Sequence, residues 1–367
     1  MYTEKELVKI AKRENNNKRK YLVVNPLQAK HIPVKPSKTI KLFNSLADII
    51  KSNYKDEKLL LVGFAETATA IGAGVSINLN SYYMQTTREI VDDCEYLFFT
   101  ESHSHATEQK LVKNDIDSVI NKVDRIVFIE DEVTTGNTIM KIVNIIKKLY
   151  GNNIKFAVAS LLNGMNKENL EDYKNNNIDI NYLVKTDHST FTEIAEQYIA
   201  DGEYIIANKS NSALDIKFHN FKGLKNTRRL TTAEEYVVSL ENLWQSIYGN
   251  INFQKCEDIL VIGTEEFMYP AIFIANKLEQ CGKNVLCHST TRSPIEVSKN
   301  RDYPLHKRYS LLSFYDKERN IYIYDLKKYD KVVIITDAEC KEKDGINTLI
   351  NALKKAENKS IEIVRWY

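Results

Sequence analysis

Short apolar runs recur along the whole chain, and most of them are continuous rather than alternating with polar residues. Continuous runs of aliphatic and aromatic residues are typical of strands that are buried on both faces of a sheet. On this pattern we predict strands at Tyr21–Val24, Leu59–Val62, Tyr96–Thr100, Arg125–Ile129, Lys155–Leu162, Ile259–Ile262, Asn284–Cys287, Ile321–Tyr324 and Lys331–Thr336.

Helical periodicity fills several of the segments between these strands. In Thr138–Tyr150 the apolar side chains fall on one face, and Gly151 follows as a C-cap. Thr231 or Thr232 is the expected N-cap of a further helix, Ala233–Tyr248. Strands that alternate with helices predict an α/β fold with a mainly parallel sheet built from right-handed βαβ units.

The two halves of the chain share motifs in the same order. Gly-x-x-Glu recurs at Gly63/Glu66 and Gly263/Glu266, and Thr-Thr-Arg recurs at 86–88 and 290–292. A chain of 367 residues has room for two domains. Because the segment 207–231 is polar, we expect domains at 1–215 and 216–367, the second an α/β domain interpreted as a degenerate duplicate of the first.

Charge and composition argue against several classes of protein. Lys and Arg number 51 and Asp and Glu 49, a net charge of +2, which makes no electrostatic case for binding nucleic acid or a membrane surface. The longest apolar run, Leu59–Ala65, is too short to cross a bilayer, and the N-terminus lacks a signal-peptide pattern. The five Cys are scattered without a CxxC spacing, so we expect neither a zinc site nor a disulfide framework, and a cytoplasmic location.

The strongest chemical signal follows the strand that begins at Arg125. Two acids, Glu130 and Asp131, precede a short loop and a helix start, the loop consisting of Thr134, Thr135, Gly136, Asn137 and Thr138. Free N–H groups at a helix start suit a phosphate, and Gly136 allows the backbone to approach it closely. Carboxylates suit sugar hydroxyls or Mg²⁺. The alternative is an N-capping loop with solvated acids.

This segment resembles the phosphoribosyl pyrophosphate motif of type I phosphoribosyltransferases. The resemblance implies a type I phosphoribosyltransferase-like sheet, with Glu130 and Asp131 on the ribose hydroxyls and on Mg²⁺, and residues 134–138 around the 5′-phosphate. Purine-salvage members often carry an Asp where this chain has Thr134, so ordinary purine salvage is disfavoured.

The same family carries a pyrophosphate loop after the first sheet strand. Ala65, Glu66 and Thr67 stand at that place and open a helix, so the resemblance implies that their backbone meets pyrophosphate. Arg88 follows the next strand, where family members place a basic residue on the pyrophosphate. The alternatives are tight packing for the loop and an ordinary surface position for the arginine.

His103 and His105 lie two residues apart in the segment 100–108. Three interpretations remain open: a metal site, part of the mobile catalytic loop that type I enzymes carry in this region, or a polar surface loop.

The second half resembles the TRSP domain, named for a motif that Thr291, Arg292, Ser293 and Pro294 reproduce. Such two-domain proteins are associated with bacterial tellurite-resistance and stress-response gene clusters. Thr291, Arg292 and Ser293 either contact an anionic acceptor, or cap a helix and hold a domain contact. The second phosphate loop, after Asp337, is longer and more charged, so we expect it to bind no phosphoribosyl pyrophosphate.

Taken with the resemblance, the sequence predicts a Mg²⁺-dependent glycosyltransferase that moves a phosphoribosyl group from phosphoribosyl pyrophosphate to an unidentified base-like or small-molecule acceptor. Pyrophosphate would leave, with Arg88, His103 and His105 as candidate catalytic residues. The alternatives are a non-catalytic sensor that acts through protein partners, and the reverse, pyrophosphate-dependent cleavage of a nucleotide-like compound. A homodimer is compatible with these expectations.

Overall fold

The computed structural model describes residues 2–14, 16, 19–99, 109–207, 216–339 and 343–367. Its strands are β1 (Lys9–Lys12), β2 (Tyr21–Val24), β3 (Leu59–Gly63), β4 (Tyr82–Gln85), β5 (Tyr96–Phe99), β6 (Gln109–Val112), β7 (Arg125–Val133), β8 (Lys155–Asn163), β9 (Ile178–Lys185), β10 (Glu203–Ile206), β11 (Lys217–Phe221), β12 (Thr231–Thr232), β13 (Asp258–Gly263), β14 (Asn284–Ser289), β15 (Lys307–Leu312), β16 (Asn320–Tyr324), β17 (Lys331–Thr336) and β18 (Ile361–Trp366). Its helices are α1 (Glu4–Leu7), α2 (Pro36–Asn53), α3 (Ala68–Leu79), α4 (Lys113–Val119), α5 (Asn137–Tyr150), α6 (Lys167–Asn175), α7 (Phe191–Glu196), α8 (Ala233–Asn250), α9 (Tyr269–Gln280) and α10 (Lys343–Lys355), with a short 3₁₀ turn at Ile120–Lys122.

Every strand predicted from a continuous apolar run coincides with a strand of the structure. The fold is therefore α/β, as predicted. The missed strands include half-exposed edge strands: β9 mixes buried, half-buried and exposed residues, and most side chains of β11 are exposed. Edge strands bury too little surface to produce a continuous apolar run.

Packing divides the chain into two compact units that interleave in sequence. The first unit comprises Met1–Glu4, Lys41–Asp187 and Lys225–Ser239, and the second comprises Lys5–Ile40, His188–Leu224 and Leu240–Tyr367. The predicted domains, 1–215 and 216–367, are continuous in sequence and differ from these interleaved units; they stay a prediction.

The first unit is built on a six-stranded sheet in the order β12-β4-β3-β7-β8-β9. All neighbouring strands are parallel except the short edge pair of β12 with β4. Helix α3 packs against β3, β4 and β7. The close approach of helix and sheet needs small residues. A Cβ at Gly63 would come within 2.7 Å of the Tyr83 hydroxyl, and a Cβ at Gly72 would come within 2.8 Å of the Tyr83 ring.

The register of this sheet brings three strand ends to one edge. Gly63, the last residue of β3, lies opposite Gln85 of β4 and Ile129 of β7. In parallel α/β sheets, ligands bind outside the carboxyl ends of the strands. The loops after β3, β4 and β7 therefore form the candidate site of this unit.

The second unit repeats this topology. Its five-stranded parallel sheet runs β11-β18-β17-β13-β14, so the order β14-β13-β17-β18 matches β4-β3-β7-β8 of the first unit. Gly263 ends β13 opposite Ser289 and Ile335, as Gly63 ends β3 opposite Gln85 and Ile129. Asp337 thus occupies the position that Asp131 holds in the first sheet. This is the topology expected of a duplication, and a common origin of the two halves stays a prediction.

Smaller sheets complete the two units. In the first unit β5 and β6 form an antiparallel pair. In the second, β1 pairs with β2, and β10, β15 and β16 form a three-stranded sheet. Across the described part of the chain, no helix combines the length and apolar character that a membrane crossing requires.

His288 gives the core of the second unit a pH dependence. Its Nε2 lies 2.9 Å from the Tyr324 carbonyl, and among the described residues its buried Nδ1 has no hydrogen-bond partner. Burial, with a smaller contribution from the positive charge of Lys30, lowers the pKa of His288 to about 4.

We expect the free energy of unfolding to fall by about 3 kcal/mol as the pH drops from 7 to 4, because the unfolded histidine binds its proton near pH 6.5 and the folded one does not. Urea denaturation across this range should show the loss in the wild type and a shallower one in His288→Asn. Equal slopes in the two proteins would contradict the prediction.

Candidate functional site

The acids of β7 lie inside the strand rather than after it. Pairing with β8 continues to Val133, four residues beyond the predicted end at Ile129. Successive side chains of a strand point to opposite faces, so Glu130 and Glu132 share one face and Asp131 lies on the other. A cavity of about 90 Å³ is lined by Glu130, Glu132 and the loop that follows. Glu132 was missed, although the alternation of the strand would have identified it.

The loop after β7 turns the chain sharply into α5. Gly136 has φ of 71°, in the left-handed region, and α5 begins at Asn137. The Asn137 N–H donates to Thr135 Oγ1 at 3.4 Å. Within the described residues, the N–H groups of Thr134, Gly136 and Thr138 have no protein acceptor. These backbone donors belong to a loop that lines the cavity at the start of a helix, a position that suits an oxyanion.

Tyr173 of α6 holds this loop by a hydrogen bond and by packing. Its hydroxyl donates a hydrogen bond of 2.7 Å to the Gly136 carbonyl. Burial, and then the negative charge of Glu130, raise the pKa of Tyr173, so the hydroxyl stays protonated and remains a donor. A Cβ at position 136 would overlap Tyr173 Oη and Met165 Cε. Packing therefore requires Gly136, in addition to the close approach to phosphate expected from the sequence.

The loop after β3 is held by two buried polar side chains. The Ala65 N–H donates to Thr86 Oγ1 at 2.8 Å, and the Ala65 carbonyl accepts from Gln109 Nε2 at 2.7 Å. Thr86 Oγ1 in turn donates to Gln109 Oε1 at 2.7 Å. The Ala65–Glu66 peptide is cis. Because the Ala65 N–H is already engaged, a direct contact of this group with pyrophosphate would require it to change partners.

The other residues predicted for this loop keep their places near the strand ends. Glu66 is buried, and its carbonyl accepts from Thr69 Oγ1 at 3.1 Å. The Thr67 N–H, just before α3, has no acceptor in the part of the chain that the structure describes. Arg88 follows Thr86 and Thr87 beyond the end of β4 and is half-buried. His103 and His105 lie outside the described residues.

Gln109 was not anticipated from the sequence. It is the first described residue after position 99, opens β6, and is only 2% exposed. Because its side chain bonds both Thr86 and the Ala65 carbonyl, it determines the position of the loop peptide at residue 65.

The predicted acceptor residues of the second unit make internal contacts. Thr291 is fully buried, and its Oγ1 accepts from the Ser293 N–H at 3.1 Å. Arg292 Nε lies 3.0 Å from Glu265 Oε2, and its Nη2 lies 3.5 Å from Glu266 Oε1. These contacts all lie within the second unit. Both interpretations of the motif, an acceptor contact and a helix cap with a domain contact, stay predictions.

The cavity beside β7 offers the carboxylates of Glu130 and Glu132 to a hard cation. Among the described residues no three His, Cys, Asp or Glu side chains form a metal-binding group. Mg²⁺ commonly takes one or two carboxylates and fills its remaining positions with water and phosphate oxygens. Glu130 and Glu132, on one face of β7, fit that requirement.

Comparison with known protein families gives two matches. A phosphoribosyl transferase family matches residues 7–191, and the TRSP domain, described as C-terminal to that transferase, matches residues 225–353. A comparison with curated protein sequences found no match.

Solved structures of phosphoribosyltransferases resemble part of the chain. Adenine phosphoribosyl transferase from Trypanosoma brucei, in complex with AMP, pyrophosphate and ribose-5-phosphate, is 15% identical with a TM-score of 0.36, covering 49% of this chain and 76% of that chain. The Giardia lamblia enzyme with 9-deazaadenine is 14% identical with a TM-score of 0.34, covering 50% and 95%. Orotate phosphoribosyltransferase from Aeropyrum pernix is 14% identical with a TM-score of 0.29, covering 44% and 77%. Scores this low carry no argument about the substrate of this chain.

Gly136→Ala should destabilise the protein more than Gly282→Ala. Both glycines have positive φ at the end of a helix, but a Cβ at 282 meets open space whereas one at 136 overlaps Tyr173 and Met165. We expect the control to lose about 1–2 kcal/mol for the left-handed conformation and Gly136→Ala to lose at least about 1 kcal/mol more for overpacking. Urea denaturation measures the difference, and equal losses would refute the packing role.

Gln109→Leu should lower the free energy of unfolding by about 1–3 kcal/mol for each buried polar group left without its partner, here the Ala65 carbonyl and the Thr86 hydroxyl. The matched control is Gln254→Leu at an exposed position, for which we expect a change within about 0.5 kcal/mol. Chemical denaturation of both variants tests this, and a Gln109→Leu protein as stable as the control would contradict it.

Proposed function

Because the chain belongs to the phosphoribosyl transferase family, we propose that its first unit transfers the phosphoribosyl group of phosphoribosyl pyrophosphate to an unidentified acceptor. Membership of the family makes the protein a phosphoribosyltransferase. The donor compound, the residues that hold it, the metal ion and the acceptor are the content of the proposal.

One observation carries the assignment of the donor site. Backbone N–H groups of Thr134, Gly136 and Thr138 without protein acceptors among the described residues lie beside the carboxylates of Glu130 and Glu132. The N–H groups suit a phosphate, and carboxylates accept hydrogen bonds from sugar hydroxyls. A sugar phosphate carries both features at a short spacing. The loop would therefore bind the 5′-phosphate, and Glu130 and Glu132 would bind the ribose hydroxyls from their shared face of β7. Asp131 remains a candidate ribose ligand from the sequence, on the other face of the strand.

The loop after β3 supports a place for the pyrophosphate group. It ends at α3, whose N-terminus favours negative charge, and the Thr67 N–H precedes that helix. Arg88 stands beyond the neighbouring strand β4, where a guanidinium would neutralise charge on the leaving oxygen. Thr86 and Gln109 hold the loop and act as positioning residues.

The transfer exchanges one bond at C1 of the ribose for another. The bond from C1 to the pyrophosphate oxygen breaks, pyrophosphate leaves with the electron pair, and a lone pair of the acceptor forms the new bond. Positive charge develops on the sugar and negative charge on the leaving group. Carboxylates beside the ribose stabilise the first, and Arg88 with the loop N–H groups stabilises the second.

A magnesium ion would be held by the carboxylates of β7, Glu130 and Asp131 in our assignment from the sequence and Glu132 on the face of Glu130. When bound, it would supply positive charge to the pyrophosphate. His103 and His105 remain candidates for contacts with the reacting groups, and Thr291, Arg292 and Ser293 remain candidates for the acceptor.

Single replacement of the acids tests the donor site. Glu130→Ala and Glu132→Ala should each weaken binding of phosphoribosyl pyrophosphate by about 1.5–3 kcal/mol for a lost hydrogen bond to a charged group, roughly 10- to 150-fold in Kd. Asp131→Ala, on the other face of β7, should weaken it less. Titration calorimetry with Mg²⁺ measures the affinities. Glu171→Ala, an exposed acid on α6, is the control and should bind as the wild type does.

The outcomes separate the proposed function from its rivals. Wild-type protein that binds no phosphoribosyl pyrophosphate would refute the donor site. Unchanged affinity in a folded Glu130→Ala variant would refute the role of that acid. Binding without pyrophosphate release, across a panel of nucleobases and small amines, would favour a sensor.

A further inference from the structure

The loops after β3 and β13 are built by the same hydrogen bonds. Thr86 N–H donates to the Gly63 carbonyl at 2.9 Å, and Thr290 N–H donates to the Gly263 carbonyl at 3.0 Å. The Ala65 N–H donates to Thr86 Oγ1 at 2.8 Å, and the Glu265 N–H donates to Thr290 Oγ1 at 3.0 Å. Position 265 thus corresponds to position 65.

The next residues extend the correspondence. Thr87 forms an antiparallel bridge with Lys110, and Thr291 forms one with Tyr322. Each threonine is followed by an arginine, so Arg292 holds the place in the second unit that Arg88 holds in the first. The important difference between the two loops is the residue before Glu66 and Glu266. It is an alanine in the first unit and a glutamate in the second.

Glu265 carries a fully buried carboxylate that is surrounded by donors. Its Oε2 lies 3.0 Å from Arg292 Nε and 3.0 Å from Arg319 Nη1. Its Oε1 accepts a hydrogen bond of 2.5 Å from Ser313 Oγ. Two guanidinium groups and a hydroxyl around one oxyanion are the donor set that proteins use for phosphate and carboxylate ligands.

A further positive charge contacts the backbone of this loop. Lys30, which is fully buried, donates from Nζ to the carbonyls of Glu265 and Thr290 at 3.4 Å each. The backbone of Glu265 has φ of 48°, a conformation that a side chain of this kind rarely adopts. The carboxylate therefore occupies the strand-end position despite an unfavourable backbone.

We propose that the second unit contains a complete oxyanion site, formed by Arg292, Arg319 and Ser313, that the chain itself occupies with the Glu265 carboxylate. The carboxylate contacts Arg292, which corresponds to Arg88, the residue proposed to bind pyrophosphate in the first unit. The second copy is thereby closed to phosphate-type anions by a substitution in its own loop. The geometry of the second unit carries this inference whether or not the first unit transfers phosphoribosyl groups.

Removal of the carboxylate should open the site. Glu265→Ala, which introduces the residue of the first unit, removes the carboxylate that two largely buried guanidinium groups share. Arg292 is left with the more distant Glu266 and Arg319 with Asp316, so the variant should have a lower Tm. Sodium pyrophosphate should restore that loss, since a ligand that binds only the folded state raises its stability. Sodium chloride at equal ionic strength is the control for screening, and Glu318→Ala, an exposed acid, is the control variant.

Titration calorimetry with pyrophosphate distinguishes the two units. We expect Glu265→Ala to bind one more pyrophosphate than the wild type. In Glu265→Ala/Arg292→Gln the affinity for this additional pyrophosphate should be about tenfold or more lower. Any event in the first unit should be common to all variants. Its absence would count against the proposed function and not against this inference.

Three results would overturn the inference. They are a folded Glu265→Ala protein with the wild-type Tm, a loss of Tm that chloride restores as well as pyrophosphate does, and no gained binding event. If Glu265→Ala does not fold alone, refolding with pyrophosphate should recover it and refolding with chloride should not. Equal failure with both anions would also reject the occupied site.

Discussion

The structure of both sheet edges depends on how the loop after the first central strand satisfies its backbone. This loop is buried, so each N–H and C=O that it carries away from water needs a partner. In both units a threonine from the neighbouring strand end accepts the loop N–H through its side chain, at 2.8 Å from Ala65 and at 3.0 Å from Glu265. Once this bond forms, the start of the following helix and the arginine after the Thr-Thr pair are positioned together.

The same framework supports different chemistry because one side chain differs. Ala65 contributes only a methyl group, and Gln109 satisfies its carbonyl. The carboxylate of Glu265 instead forms ion pairs with two arginines, Arg292 and Arg319. A buried carboxylate is tolerated when hydrogen-bonded positive groups surround it, and it then keeps other anions out. The two units thus share a sheet topology and the threonine hydrogen bonds of the loop, while the side chain at this loop position differs.

In the first unit, the helix start after β7 is held by a hydrogen bond from α6. The Tyr173 hydroxyl donates to the Gly136 carbonyl, which also accepts from the Met140 N–H at 3.0 Å. The N–H groups of Thr134, Gly136 and Thr138 have no acceptor among the described residues. The loop that carries them lines the same cavity as Glu130 and Glu132, so backbone donors and carboxylates border one space.

The amino-acid sequence alone determined the fold class, the central strands and the loop 134–138, because buried parallel strands and a helix start after two acids leave strong local patterns. It also predicted a duplication, through Gly-x-x-Glu and Thr-Thr-Arg. Only the tertiary structure decided that Glu132 shares the face of Glu130, that Gln109 holds the Ala65 peptide, and that Arg292 pairs with Glu265. Such contacts join residues far apart in the chain, and their partners depend on sheet register and burial, which no local pattern records.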